Sequence, residues 1–401
     1  MKKHHSHHLL TAAILSISLL TVMAGAAIAP ALSVIHDHFA DSPALLIQLI
    51  ISLPALFIIL TNLLFPLLCR IMRSKTLALV GLVLYTIAGT APYLCSNLAT
   101  ILLFRALLGI SVGMIMPLST GLLAFYFPPQ QQASLMGLSA AMNQMGGVVA
   151  TLLAGLLSTH RWNNAFLVYL IALIAIILVI CFLPNEKLSH QPSETTPSNP
   201  KPDPIEQMTF LQRLRHFHPS VVGMFLCMSL FFVYPSNFAI TAHAETTLSN
   251  NVITYIMVGL DLVAFIIGLF FGRLMQQMPV AIKYIAPLSF LLGYLTLAID
   301  HNLWALMLGS SLIGIANGVG IPYLNTIASI KGGQNATTTV MPLISASLYL
   351  GQFLSPIYIS QLGNTLLHCP RAPYLVAVVV AILYLLQTHL TRHFQSLPPK
   401  A

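Results

Sequence analysis

The chain has 401 residues, of which 57% are hydrophobic and 6% charged, with a formal net charge of +8. A soluble domain carries about 25% charged residues, so this composition excludes a water-facing globular protein and places the chain in lipid. Its five cysteines (Cys69, Cys95, Cys181, Cys227, Cys369) form no CxxC pair and read as small packing residues.

Taken in order, Lys2-Lys3 and the histidines His4, His5, His7 and His8 precede a first apolar run at 9–32 that contains Pro30. The histidines read as a solvated tail, with metal binding the alternative. The run is expected to stay as an uncleaved first helix, because many apolar runs follow it. Further runs lie at 44–68, 76–95, 99–126, 133–158, 164–183, 220–241, 251–272, 280–299, 303–328, 336–360 and 373–391. Each approaches the ~20 residues that a membrane helix needs. Backbone in lipid must bond internally, so the choice is helices or a closed barrel, and continuous apolar runs exclude the alternating barrel pattern. The expected fold is therefore an all-α membrane protein of twelve transmembrane helices.

The fourth run carries Arg105, Gly109, Gly113 and Pro117, whose first three members share a helix face. Gly314, Gly318 and Pro322 repeat the last three at a spacing of 205 residues, and so do Pro30 with Pro235 and Gly146 with Gly351. Five landmarks at one spacing mark two six-helix repeats, 1–183 and 220–401. An even number of helices makes the repeats parallel, with an expected site between them near the bilayer midplane. Between them, 184–219 is rich in Pro, Ser and Thr and reads as a cytoplasmic tether, with a short amphipathic helix expected at 205–216.

Orientation follows from the basic residues. With the N-terminus inside, the inner segments hold fourteen (Lys2, Lys3, Arg70, Arg73, Lys75, Lys187, Lys201, Arg213, Arg215, Arg273, Lys283, Lys331, Arg392, Lys400) and the outer loops two, Arg161 and Arg371. This bias predicts both termini in the cytoplasm and accounts for the positive charge without a nucleic-acid partner.

On these residues the chain resembles the major facilitator superfamily, over essentially all its length outside the tether. Cys69-Arg-Ile-Met-Arg-Ser-Lys75 is similar to the family's Asp-Arg-x-Gly-Arg-Arg-Lys loop: Arg70, Arg73 and Lys75 match, while Cys69 and Met72 replace Asp and Gly. Gly268-x-x-x-Gly272-Arg273 is its counterpart in the second repeat, again without the acidic residue that helps latch the family's inner gate. Arg105 and Gly109 fall on the family's fourth-helix motif, which is associated with proton coupling. Gly137, Gly146 and Gly155 have the spacing of the antiporter motif, with Ala150, Thr151 and Ala154 replacing Gly, Pro and Gly. Ser355-Pro356 keeps a proline in the second repeat.

Asp261 is the one acidic residue deep in a run. An intramembrane carboxylate is costly, so it reads as a protonatable site, against the plainer reading of a bonded carboxyl at a packed seam. Arg105 either modulates that site or binds an anion, or else bonds carbonyls freed near the glycines. Asn143, Gln144, Tyr234, Asn237, Asn317, Asn325 and Gln352 are expected in a polar interior, some lining a cavity and some tying helices. Arg70, Arg73, Lys75 and Arg273 are assigned to the inner gate, and Gly109, Gly113, Gly137, Gly146, Gly155, Gly314, Gly318 and Gly351 to helix packing. His36-Asp37-His38 reads as a plain loop, so no metal is expected; no cofactor and no catalytic group is expected either, since Walker, elbow and HExxH motifs are missing.

The expectation is a monomeric secondary transporter of the inner membrane, not an enzyme, exporting small amphiphilic compounds in exchange for protons. The alternatives are uptake of a small neutral metabolite by proton symport or facilitation, and a non-transporting sensor or scaffold with a partner on 184–219.

Overall fold

The computed structural model describes residues 2–127, 129–186, 208–332, 340–367 and 369–391. The side chains of His4, His5 and His7 and most of the tether, 187–207, lie outside the described residues. Among the described residues there is no strand, and twelve helices are long and apolar enough to cross a membrane.

We number them α1 (Lys2–Ala26, continued to His38 by a 3-10 turn and the short helix Leu32–His38), α2 (Ala44–Ile71), α3 (Ser74–Thr90), α4 (Leu98–Tyr126), α5 (Pro129–Ser158), α6 (Trp162–Phe182), α7 (Phe210–Glu245), α8 (Asn250–Gln277), α9 (Ile282–Ile299), α10 (Leu303–Gly332), α11 (Met341–Gly363) and α12 (Ala372–Leu390). Contacts divide the chain into two compact units, one of 1–193 with 247–258, the other of 194–246 with 259–401.

Among the described residues no separate amphipathic helix precedes α7; the start of the expected 205–216 helix, 205–207, lies outside them. Residues 210–216 are the first turns of α7, started by a capping box in which Thr209 Oγ accepts the Gln212 N–H and Gln212 Oε1 accepts the Thr209 N–H. The helix runs unbroken for 36 residues, about 54 Å at 1.5 Å per residue and so well beyond the hydrocarbon thickness. Hydropathy marks where lipid ends, not where the backbone ladder ends.

The repeated small residues fix the helix crossings. On α4, Arg105, Gly109 and Gly113 lie over Ile50, Pro54 and Ile58 of α2, four-residue steps meeting four-residue steps. On α10, Gly314 and Gly318 lie over the Leu260 and Ala264 carbonyls of α8. Gly146 sits on the Leu19 carbonyl of α1, and Gly351 on the Phe225 carbonyl of α7. Serines continue the α11–α7 seam at the same four-residue steps: Ser347 Oγ donates to Val221 O at 2.5 Å and Ser355 Oγ to Ser229 O at 2.7 Å. In lipid, apolar surface gives no drive for helices to associate, so close backbone approach and such hydrogen bonds hold the bundle. Gly155 lies against the Thr254 side chain, whose segment belongs to the first unit. Gly137 lies in α5, and its surroundings fall outside the described residues.

A Cβ at Gly351 lies 2.5 Å from the Phe225 oxygen, whereas one at Gly268 meets nothing within 4 Å. Gly351→Val is therefore expected to destabilise by roughly 1–3 kcal/mol. Gly268→Ala is expected to stabilise slightly, by up to about 1 kcal/mol of helix propensity. Thermal unfolding of both variants in detergent checks the opposite signs.

Candidate functional site: two buried polar centres

The first centre surrounds Arg105, which is fully buried. Helix α1 ends at Ala26, so the Ala24 carbonyl is one of the last-turn acceptors with no partner in its own helix. Arg105 Nη2 donates to it at 2.6 Å. Nε donates to Ile50 O at 2.5 Å, and Nη1 to Tyr169 Oη at 2.6 Å. Tyr169 Oη itself donates to Ala24 O at 3.1 Å, and its ring lies 5.7 Å from the guanidinium carbon. Gly89 leaves the space that the Tyr169 ring fills, and Tyr85 meets that ring edge-on while donating to Leu20 O at 2.9 Å. Arg105 thus joins α1, α2 and α6 to α4. It bonds carbonyls of α1 and α2, not ones freed near the glycines of its own helix.

The second unit solves the same problem with different residues. Tyr374 stands 205 residues after Tyr169, but Ser310 takes the place of Arg105 and Tyr294 that of Gly89. Large and small have changed places. Tyr294 Oη donates to Leu230 O on α7. The Tyr294 ring stacks on Tyr374 with centroids 6.0 Å apart. Ser310 Oγ and Tyr234 Oη are 2.7 Å apart, and Tyr234 stacks on Phe238 at 4.4 Å. Asp261, half-buried on α8, acts electrostatically on Tyr234. Tyr234 and Ser310 thus form one polar group drawn from α7 and α10, on which the Asp261 charge acts from α8.

Asn237 is buried and donates to Val233 O at 2.8 Å and Ser360 Oγ at 2.9 Å. Ser360 closes a π-turn, Pro356–Ser360, opened by the proline of Ser355-Pro356. Such single turns recur where a helix is bent for function. Asn143 Oδ1 accepts from Thr21 Oγ1 at 2.9 Å and ties α5 to α1. Asn317 and Gln352 are buried, and Asn317 Oδ1 has no hydrogen bond among the described residues; Gln144 and Asn325 are half-buried.

The loop residues separate. Arg70, Arg73 and Arg273 are exposed, the last over the Phe270 ring. Lys75 instead donates to Ile180 O at 2.6 Å, in the last turn of α6, where a cation also complements the helix dipole. Ser74 adds its N–H to Glu186 O at 2.9 Å and its hydroxyl to Pro184 O at 3.3 Å. Lys75 is a cap on α6.

A further cluster closes one end of the second unit. Arg371 Nε donates to Glu245 Oε2 at 2.6 Å, Nη1 to Ala298 O at 3.2 Å and Ile299 O at 3.0 Å, and Nη2 faces His301 Nδ1 at 2.6 Å. Beside it, the Asp300 carboxyl is held below its ordinary value first by the Asn302 N–H and then by the His301 N–H. A depressed folded value gives stability that is complete above the unfolded value, 3.8, and vanishes as pH falls through the folded one. Asp300→Asn is accordingly expected to lower the unfolding temperature at neutral pH, with the difference closing in acid below that point. A pH series of melting curves checks this.

Neither Tyr169, Ser310, Tyr294 and Tyr374 nor the Glu245–Arg371 pair was singled out by sequence reasoning. The 205-residue spacing of Tyr169 and Tyr374 is the signal that could have found two of them.

A polytopic bundle of two repeated units with a few buried polar groups and continuous apolar exteriors is the build of a secondary transporter. The chain belongs to the Major Facilitator Superfamily, whose family model matches residues 14–356, and it is a multi-pass membrane transporter rather than an enzyme. Quinolone resistance protein NorA of Staphylococcus aureus is 23% identical over 312 residues, 72% of this chain and 76% of that protein. The inward-facing, unoccupied structure of a bacterial homolog of the human lysosomal transporter Spinster is 17% identical, with a TM-score of 0.73 over 98% of this chain and 99% of that one. The nucleoside transporter NupG is 10% identical, with a TM-score of 0.73 over 97% and 100%.

Proposed function

We propose that this transporter exports small amphiphilic compounds across the inner membrane in exchange for protons, with both termini in the cytoplasm. The observation that carries the reading is Asp261, a carboxyl within a span that acts on Tyr234, itself paired with Ser310. A protonatable group placed there can be loaded from one side and unloaded to the other as the transporter alternates. Arg105 has its guanidinium committed to Ala24, Ile50 and Tyr169, which supports a substrate without strong negative charge. The relative named for quinolone resistance supports export. Fourteen basic residues in the segments taken as inner, against two in the outer loops, support the orientation.

Uptake of a small neutral metabolite is the second reading. The replacement of Gly-Pro by Ala150-Thr151 in α5 favours it, since the antiporter spacing is kept without its proline. Ethidium loaded into cells lacking other pumps separates the two. Export predicts that expressing cells lose the dye faster and that a protonophore stops this. Equal retention with and without the transporter contradicts it, and a screen of nutrients by counterflow then tests uptake.

A further inference from the structure

On α7, Tyr234, Phe238, Thr241 and Glu245 recur at steps of four, three and four, so they share one face over eleven residues, about 16 Å of helix. One end of this row is Tyr234, on which Asp261 acts. The other is the Glu245–Arg371 pair, whose side chains are each 19% exposed. The groups packed on the row between them are hydroxylic. Tyr234 Oη meets Ser310 Oγ at 2.7 Å. Tyr374, three residues beyond Arg371, is buried, and its hydroxyl interacts with the Thr241 side chain. Its ring stacks on Tyr294. Thr241 Oγ1 donates to Pro370 O at 3.3 Å, a long bond that it can exchange. The carboxyls at the two ends bear electrostatically on the row, Asp261 on Tyr234 and Glu245 on Tyr374.

A plain structural reading accounts for part of this. Tyr294 ties α9 to α7, and Tyr234 ties α7 to α10. It gives no reason for the Tyr374 hydroxyl, since phenylalanine would stack on Tyr294 as well; that hydroxyl interacts with Thr241 on the same face of α7.

We propose that this face of α7, with Tyr294, Ser310 and Tyr374 against it, is the proton path between Glu245 and Asp261. The inference rests on the reading of Asp261 as proton carrier. A proton arriving on the Glu245 carboxylate releases it from Arg371 Nε, while Arg371 keeps its carbonyl partners Ala298 and Ile299. Each hydroxyl in the row accepts a proton on one side as it gives one up on the other, with water bridging gaps beyond hydrogen-bond reach. The proton finishes on an Asp261 carboxylate oxygen, and Glu245, again ionised, re-pairs with Arg371. One proton moves and nothing is oxidised or reduced. Among the described residues, Glu245 meets Arg371 and acts on Tyr374, with His301 and Asp300 behind Arg371.

The test is the rate at which Asp261 takes up a proton after a pH jump. It is read by time-resolved infrared absorption of the carboxyl C=O band in purified protein, assigned by its loss in Asp261→Asn. Tyr374→Phe and Thr241→Val are each expected to slow the band at least about tenfold, with unchanged amplitude and unchanged melting temperature. Glu245→Gln is expected to slow it likewise. Rates within twofold of wild type in both Tyr374→Phe and Thr241→Val overturn the path while leaving Asp261 as carrier. If Asp261→Asn removes no band, Asp261 does not titrate, and both readings fall together.

Discussion

Arg105→Met is expected to destabilise the first unit by roughly 1–3 kcal/mol, the cost of leaving a buried neutral acceptor without its donor. The substitution removes the donors to three groups at once, the Ala24 and Ile50 carbonyls and the Tyr169 hydroxyl, and leaves the Ile50 carbonyl without its Arg105 donor. Tyr169 keeps its own bond to Ala24 O at 3.1 Å, which limits the loss. Arg105→Lys is expected to recover little of it. A planar guanidinium sends donors to α1, α2 and α6 together, and an ammonium on a flexible stem cannot span those directions. The measurement is thermal unfolding in detergent, followed by tyrosine and tryptophan fluorescence. Trp162 lies at the start of α6, where it stacks on His38 at 4.7 Å and so reports on this unit. A melting temperature equal to wild type, with transport lost, would instead make Arg105 a group that acts on substrate or protons directly.

Asp261→Asn is expected to have the largest effect on transport. The substitution keeps size and hydrogen-bonding capacity near Tyr234 and removes the ability to bind and release a proton. Proton-driven ethidium export should fall by at least about a hundredfold, as when a positioned acid–base group is lost. Exchange of ethidium for ethidium with no pH gradient should persist, because it requires alternation without net proton transfer. The melting temperature should hold within a few degrees. Loss of exchange together with export would make Asp261 a structural or substrate-binding group.

The fold was legible because its two strongest determinants leave marks that composition and spacing record. Lipid demands long apolar runs, and helices crossing closely demand small residues, so Gly109, Gly146, Gly314 and Gly351 stand at fixed intervals. The polar centres were legible only in part. Arg105 and Asp261 stand out as charges in apolar runs, but the partners of Arg105 are backbone carbonyls, which every residue carries. Sequence alone therefore left open a role in proton coupling or anion binding and a structural one. Ser310, Tyr294 and Tyr374 were invisible for a related reason: Ser and Tyr are common in membrane helices, and what distinguishes these is the neighbour each meets. Lys75 was assigned to a gate by its loop, yet its ammonium reaches Ile180 O at the end of α6, a contact between helices more than a hundred residues apart. The spacing of repeats carries information that single residues lack: comparison of positions 205 apart exposes both the repeated Tyr169–Tyr374 pair and the exchange of Arg105 and Gly89 for Ser310 and Tyr294.

The central claim is that substrate leaves as protons enter. Proteoliposomes holding the transporter, loaded with a pH-sensitive dye and given an outward ethidium gradient at equal pH on both sides, test it most directly. The account predicts that ethidium leaving through the transporter acidifies the lumen, and that Asp261→Asn vesicles show no such acidification. Ethidium efflux without any lumenal pH change, or with alkalinisation, would contradict it.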